Sequence, residues 1–178
     1  MSKVVAIIQA RLTSTRLPRK VLKKIGNKTM LQHVIDKVNK SKLIDTVVVA
    51  SPTKIPFKRA FSYIFAKEHE VLERYYFSAL AYKATIIVRI TSDCPCVDPE
   101  VIDIAIKYFK KHKFPYVYFA PVDGLDVEVF SFKLLEEANE YALSASDREH
   151  VTPYMKRITK LSVDTKEDLE RVRHVLSR

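Results

Sequence analysis

Three short runs of apolar, mostly β-branched residues set the frame of this chain: Val4-Val5-Ala6-Ile7-Ile8, Asp45-Thr46-Val47-Val48-Val49-Ala50 and Thr85-Ile86-Ile87-Val88-Arg89-Ile90. Each is too short for a helix and nearly continuous in its hydrophobicity, which marks a strand covered on both faces. Helical periodicity fills the intervals. Met30, Leu31, Val34, Ile35 and Val38 form one apolar face behind a capping box at Thr29, and Val71, Leu72, Tyr75, Ala79 and Leu80 form a second over residues 70–82. Asp98 followed by Pro99 predicts an N-cap with proline at the first helical position, ahead of Val101, Ile102, Ala105, Ile106 and Phe109. Such alternation predicts one α/β domain over residues 1–178, in three layers around a mostly parallel sheet. At 178 residues and 47% hydrophobic content the chain can bury a core of its own.

The remaining elements follow the same logic. Phe57, Ala60, Phe61, Ile64 and Phe65 recur at helical spacing and predict a helix. Tyr116-Val117-Tyr118-Phe119 reads as a short strand. Leu125-Asp126-Val127-Glu128-Val129-Phe130 alternates apolar with acidic, predicting a strand with one dry face and one wet face that carries Asp126 and Glu128. Ser131 caps a helix with Leu134, Leu135, Ala138 and Ala142 inward, and Ser146 heads a capping box closed by Glu149. Leu161-Ser162-Val163-Asp164 is expected as a last strand before a helix capped by Thr165.

The candidate chemistry gathers just past the first strand. Arg11, Arg16 and Lys20, with Thr13, Ser14 and Thr15 among them, follow Gln9 and Ala10, and no Asp or Glu lies between Val4 and Val21. Ligands of open α/β sheets sit beyond the carboxyl ends of the strands, and a cluster of cationic and hydroxyl donors calls for an anion, above all phosphate. With only two glycines, Gly26 and Gly124, no glycine-rich phosphate cradle exists, so side-chain cations and loop backbone must do the holding. Asp93 lies at the same edge, between the third strand and the Cys94-Pro95 turn, with no local capping role.

The formal charge of +10 by itself admits nucleic acid, membrane surface or anionic metabolites. The lysines and arginines are spread over predicted helices, and no stacking motif or helix-turn-helix accompanies them, so nucleic acid is not the expected partner. No run of about eighteen apolar residues could span a bilayer. The start Met1-Ser2-Lys3 lacks the pattern of a secretory leader, and Cys94 and Cys96 have no third cysteine to pair with, so a reduced, cytoplasmic protein is expected.

Four stretches together carry a family resemblance. Ile7 to Arg11 with Ser14 to Leu22, Arg89-Ile90-Thr91-Ser92-Asp93-Cys94-Pro95, Asp126 to Phe130, and Asp147-Arg148-Glu149-His150-Val151-Thr152-Pro153-Tyr154 resemble, in order, the motifs of the cytidylyltransferases. The similarity is to the branch typified by the spore-coat polysaccharide biosynthesis protein SpsF, related to the CMP-KDO and CMP-acylneuraminate synthetases. This resemblance implies a glycosyltransferase-A-like nucleotidyltransferase fold and Mg²⁺-dependent transfer of CMP from CTP to a sugar or sugar acid in surface polysaccharide biosynthesis. It implies nucleotide binding by Gln9, Ala10, Arg11, Arg16, Lys20, Arg89 and Thr91, with Arg11, Lys20 and Asp93 catalytic. Asp93 and Asp164 match metal-binding aspartates, and Asp126, Glu128, Arg148, Glu149 and His150 are placed on the sugar side. Relatives form dimers, so a homodimer is implied in the same way. Arg19 departs from the pattern, standing where a glycine is usual before the lysine. A nucleotide-sugar-binding glycosyltransferase, a non-catalytic nucleotide binder and a basic nucleic-acid binder are the readings to be separated from this one.

Overall fold

The structure, a computed structural model, describes residues 2–64 and 68–176. Its centre is a six-stranded sheet. β1 (Val4–Gln9) is flanked by β4 (Thr46–Ser51) and β6 (Ile86–Thr91), both parallel to it. On one side β5 (Phe61–Ile64) extends the sheet parallel to β4; on the other, β8 (Val127–Ser131) runs antiparallel to β6, and β7 (Tyr116–Phe119) closes that edge antiparallel to β8. A small antiparallel pair, β2 (Lys24–Ile25) and β3 (Lys28–Thr29), turns through Gly26, whose φ of 62° belongs to the left-handed region that glycine enters at little cost.

The expectation of a mostly parallel sheet is therefore corrected: the sheet is mixed. Of its five strand pairings among the described residues, β1 with β4, β1 with β6 and β4 with β5 are parallel, and β6 with β8 and β7 with β8 are antiparallel. The reason is chain length. Only residues 120–126 join β7 to β8, too few for the crossover of a dozen or more residues that parallel neighbours need.

Side chains alternate along β1, and each face is dry. Val4, Ala6 and Ile8 meet Leu31, Val34, Ile35 and Val38 of α1 (Met30–Val38) and Ile102, Ala105 and Ile106 of α3 (Pro99–His112). Val5 and Ile7 meet Leu72, Tyr75 and Ala79 of α2 (Val71–Ala81), Leu134 and Leu135 of α4 (Phe132–Tyr141), and Met155 of α6 (Pro153–Ile158). The caps at Thr29, Asp98, Ser131 and Thr165 form as the residue types demand, each side chain accepting from a backbone N–H of the first turn. No helix among the described residues is long and apolar enough to cross a membrane.

Four local expectations are overturned. The helix predicted from Phe57 is instead β5, whose residues pair with β4 from Val48↔Phe61 to Ser51↔Ile64; Phe65 lies outside the described residues. Phe61, Tyr63 and Phe65 also fit a period of two, and short apolar runs do not separate the two periodicities. Residues 161–164 form no strand. The backbone N–H groups of Asp164 and of the following Thr165 instead donate to the Asp168 carboxylate at the start of α7 (Lys166–Leu176). The cap of α5 (Ala145–His150) is Ser144 rather than Ser146, with Ser144 Oγ accepting from Asp147 N at 3.1 Å. Leu80, expected inward on α2, is half exposed, and Arg74 and Ser78 are buried in its stead.

Asp103 of α3 shows how loops are tied to this frame. It accepts from Ser41 Oγ at 2.5 Å and from the backbone N–H groups of Lys42 at 3.1 Å and Leu43 at 3.2 Å, fixing the entry to β4. Asp103→Ala is expected to cost about 1–3 kcal/mol, because hydrogen bonds to a charged acceptor are lost from a partly buried turn. Urea unfolding reads this as a lowered midpoint at constant slope; an unchanged midpoint contradicts it.

Candidate active site

β1, β4 and β6 end at one edge, and the backbone bond from Ala10 N to Ala50 O at 3.0 Å carries the pairing one residue beyond β1. The chain then folds into a compact loop. Arg19 N donates to Leu12 O at 3.2 Å and Lys20 N to Leu17 O at 3.1 Å, and a 3-10 turn over Lys20–Leu22 is pinned by buried Val21. Arg19 holds φ 55° and ψ 34°, a left-handed backbone at the position where the related motif has glycine.

This loop forms one wall of a cleft of about 210 Å³. Gln9, Ala10, Arg11, Arg16 and Lys20 line it from the loop side, and Thr91 and Asp93 from the end of β6. Glu149 and His150 reach it from α5. Lys20 Nζ lies 2.5 Å from Asp93 Oδ2, and Arg11 Nη1 lies 3.3 Å from Glu149 Oε1. Burial pushes the Asp93 carboxyl up, but hydrogen bonds from Lys20 and Thr91 outweigh it and hold the pKa below the ordinary carboxylate value. Three loop cations thus share the cleft with two carboxylates supplied by distant segments.

A fourth cation, Arg74, was not singled out in the sequence. It is 2% exposed, lines the same cleft from α2, and donates from Nη1 to Glu68 O at 2.9 Å. Its desolvation lowers its pKa, and the nearby charge of Arg11 acts the same way. The available signal was a charged residue within the inward stripe of α2, three residues after Val71 and next to Tyr75.

A second cleft of about 280 Å³ adjoins the first, sharing Thr91 and His150 in its lining. Arg89 lies here, rather than among the residues of the first cleft, with Tyr118, Asp126, Glu128 and Lys156. Asp126 accepts from Tyr118 Oη at 2.6 Å and Gly124 N at 3.1 Å, and that hydrogen bond is the main reason the Tyr118 phenol is pushed up to about 12. Glu128 corrects the expectation of a wet strand face: it is 3% exposed. Arg89 stands directly opposite it in the β6–β8 register and donates to Oε2, while Tyr116 Oη at 2.7 Å and Thr152 Oγ1 at 2.9 Å donate to Oε1. Burial raises the Glu128 pKa, but Arg89, Tyr116 and Lys156 together bring it below the ordinary carboxylate value.

Two predicted site residues lie in neither cleft lining. Arg148 donates to Glu70 at 2.7 Å and to Asn139 O at 3.0 Å, clasping α5 to its surroundings. Asp164 has a 70% exposed side chain and pairs with Lys160 four residues earlier. Among the described residues no group of three or more His, Cys, Asp or Glu side chains could enclose a metal ion. Asp93 is still a fitting partner for Mg²⁺, which characteristically takes one or two protein carboxylates and completes its shell with water and phosphate oxygens.

A strand-end cleft rich in cations beside a polar second cleft, on this sheet, is the layout of an α/β protein that binds an anionic ligand at its strand ends. The cytidylyltransferase family profile matches residues 5–177, and the chain belongs to that family. It is 37% identical over 162 residues to the uncharacterized protein MJ1063 of Methanocaldococcus jannaschii, covering 86% of this chain and 67% of that one. It is 31% identical over 207 aligned positions to the spore coat polysaccharide biosynthesis protein SpsF of Bacillus subtilis, covering 97% and 86% of the two chains. The solved structure of a cytidylyltransferase from Leptospira borgpetersenii superposes with a TM-score of 0.81 at 27% identity, over 99% of this chain and 87% of that one.

The buried pair makes a pH prediction. The folded pKa of Glu128 lies below its ordinary value of 4.5, so its contribution to stability is complete above that value and is lost as pH falls through the folded pKa. Glu128→Gln is expected to cost about 3–5 kcal/mol at neutral pH, by leaving Arg89 without its counter-ion, and to flatten the acid limb of the stability curve. Arg89→Met added to Glu128→Gln should recover at least about 1 kcal/mol, since the orphaned charge is then gone. Absence of recovery in chemical denaturation contradicts the coupling.

Proposed function

We propose that this protein is a Mg²⁺-dependent cytidylyltransferase that transfers CMP from CTP to a hydroxyl of a sugar or sugar acid and releases pyrophosphate. The observation that carries this reading is the Lys20–Asp93 pair at the strand ends, flanked by Arg11 and Arg16 and opening onto the second cleft through Thr91 and His150. Family membership supports the reaction type, and the likeness to SpsF supports a product destined for a surface polysaccharide.

In this reading the first cleft receives the triphosphate. Gln9, Ala10 and Thr91 form its floor, and Arg11, Arg16, Lys20 and Arg74 neutralise the nucleotide tail. The demand on the protein is electrostatic, because negative charge accumulates on the leaving pyrophosphate and fixed cations beside it lower the barrier without reorganising. Lys20 exchanges Asp93 for phosphate oxygens. Asp93, so freed, would hold Mg²⁺, which would supply further charge neutralisation on the phosphates. Asp164 is the weaker claimant to that role, since its side chain is turned to Lys160. Arg89 is a positioning residue, holding Gln9 Oε1 at 3.4 Å and the β6–β8 edge together.

The second cleft receives the acceptor. Asp126, His150 and the Tyr118 and Thr152 hydroxyls offer the mixture of donors and acceptors that a polyhydroxylated ligand requires, and no covalent nucleophile is needed because a sugar hydroxyl attacks. Glu149 orients Arg11, Glu128 shapes the cleft wall, and Arg148 positions α5 behind them.

A pyrophosphate-release assay of nucleoside triphosphates against sugars, sugar acids and sugar phosphates tests the reaction. Release with CTP is expected to require Mg²⁺ and to vanish with EDTA. Asp93→Asn and Lys20→Met are each expected to lower kcat about a hundredfold or more with little loss of thermal stability. Undiminished turnover by Asp93→Asn removes that carboxylate from the mechanism.

A further inference from the structure

The buried carboxylate of Glu128 has more donors than it can use. Arg89 Nη1 occupies Oε2, while Oε1 is approached by Tyr116 Oη at 2.7 Å, Thr152 Oγ1 at 2.9 Å and Lys156 Nζ at 3.0 Å. A carboxylate oxygen offers two lone pairs, so Tyr116 and Thr152 saturate it and Lys156 is the surplus donor. Lys156 makes the longest of the three contacts, and its side chain is 47% exposed. Arg89 is different: its side chain is 16% exposed and is held by both Glu128 and Gln9. If Lys156 moved away, Glu128 would keep its counter-ion and a full set of hydrogen bonds.

The Lys156 ammonium also sits 4.7 Å from the centroid of the Tyr118 ring, on the wall of the second cleft. That placement puts the charge on the cleft wall, beside the ring face that helps hold it there. Of the two cations lining this cleft, Lys156 is therefore the one that can change partners at low cost. Asp126, the other acid in the lining, has one oxygen engaged by Tyr118 and the other by Gly124 N.

Resting on the assignment of the second cleft to the acceptor, we propose that Lys156 is its specificity-determining residue, exchanging the surplus contact with Glu128 for an anionic group of a polyhydroxylated acceptor. Carboxylate and phosphate ester share this chemistry, since both present oxygens to a single ammonium donor.

The test is ligand-observed saturation-transfer NMR on the full chain, with CTP saturating the first cleft and three probes: D-glucuronate, glucose 6-phosphate and glucose. Wild-type protein is expected to bind one or both anions in preference to glucose, and the stronger of the two identifies the group recognised. Lys156→Met is expected to lose about tenfold in affinity for the preferred anion and nothing for glucose, while Lys156→Arg retains the preference. A merely structural role for Lys156 would instead weaken all three probes alike and lower the melting temperature. An anion preference that survives in Lys156→Met, or its absence from the wild type, overturns the inference. CTP-induced thermal stabilisation is measured alongside in every variant. Stabilisation without an anion preference overturns the role of Lys156 alone, whereas its absence in the wild type overturns the nucleotide assignment.

Discussion

Arg89 and Glu128 face each other across the seam where β8 runs against β6 in the central sheet, and the rest of the site is arranged around that contact. Two opposite charges, both largely shielded from water, tolerate no slip in register: moving β8 by one residue relative to β6 would send Glu128 to the opposite face and leave Arg89 unmatched. The remaining oxygen is closed by Tyr116 from β7 and Thr152 from the segment ahead of α6, so a single carboxylate ties together two strands and the connection that delivers His150 to both clefts. Such a pair is a poor source of net stability compared with apolar packing. Its value here is geometric.

The same economy governs the first cleft. Three of its cations, Arg11, Arg16 and Lys20, come from one loop, where their mutual repulsion would open the loop were it not opposed. Opposition comes from elsewhere in the sequence: Asp93 at the end of β6 meets Lys20, Glu149 of α5 meets Arg11, and Glu68 accepts from Thr13. Contacts of this kind are half exposed and contribute little individually. They preserve the shape of the loop while leaving Arg11 and Lys20 exchangeable, as the proposed binding of a nucleotide's phosphates requires.

Much of this was legible in the residues. The buried strands β1, β4 and β6 announce themselves by continuous β-branched character, and Asp98-Pro99 fixes the start of α3 because few residue pairs serve so well as cap and first turn. Gln9, Ala10, Arg11, Arg16, Lys20, Thr91 and Asp93 converge because β1 and β6 end at one edge, a consequence of topology that alternation predicts, whereas Glu149 and His150, which the resemblance placed on the sugar side, join them from α5. What escaped was decided by tertiary partners. The antiparallel insertion of β8 was hidden in the brevity of residues 120–126, and Glu128 looked wet because alternation marks polarity but not whether a counter-ion awaits on the neighbouring strand. Arg74 and Lys156 carry charges of the commonest sort, and only burial within the inward stripe of α2 or position over Tyr118 sets them apart.

Arg19 bears on how such a loop can work without glycine. A side chain in the left-handed region costs roughly 1–2 kcal/mol, which is why glycine is the usual occupant of positions of this kind. Here that backbone is over-determined by its surroundings: Arg19 N is bound to Leu12 O, Leu22 N to Arg19 O, and the following Val21 is buried in the core. Closure of the loop therefore rests on backbone hydrogen bonds and one apolar anchor, and the local penalty is absorbed by contacts on either side. The residue so accommodated adds a further positive charge beside Lys20. A loop that relies on side-chain cations, in a chain with two glycines, thus gains field strength at the very position where the related motif has glycine.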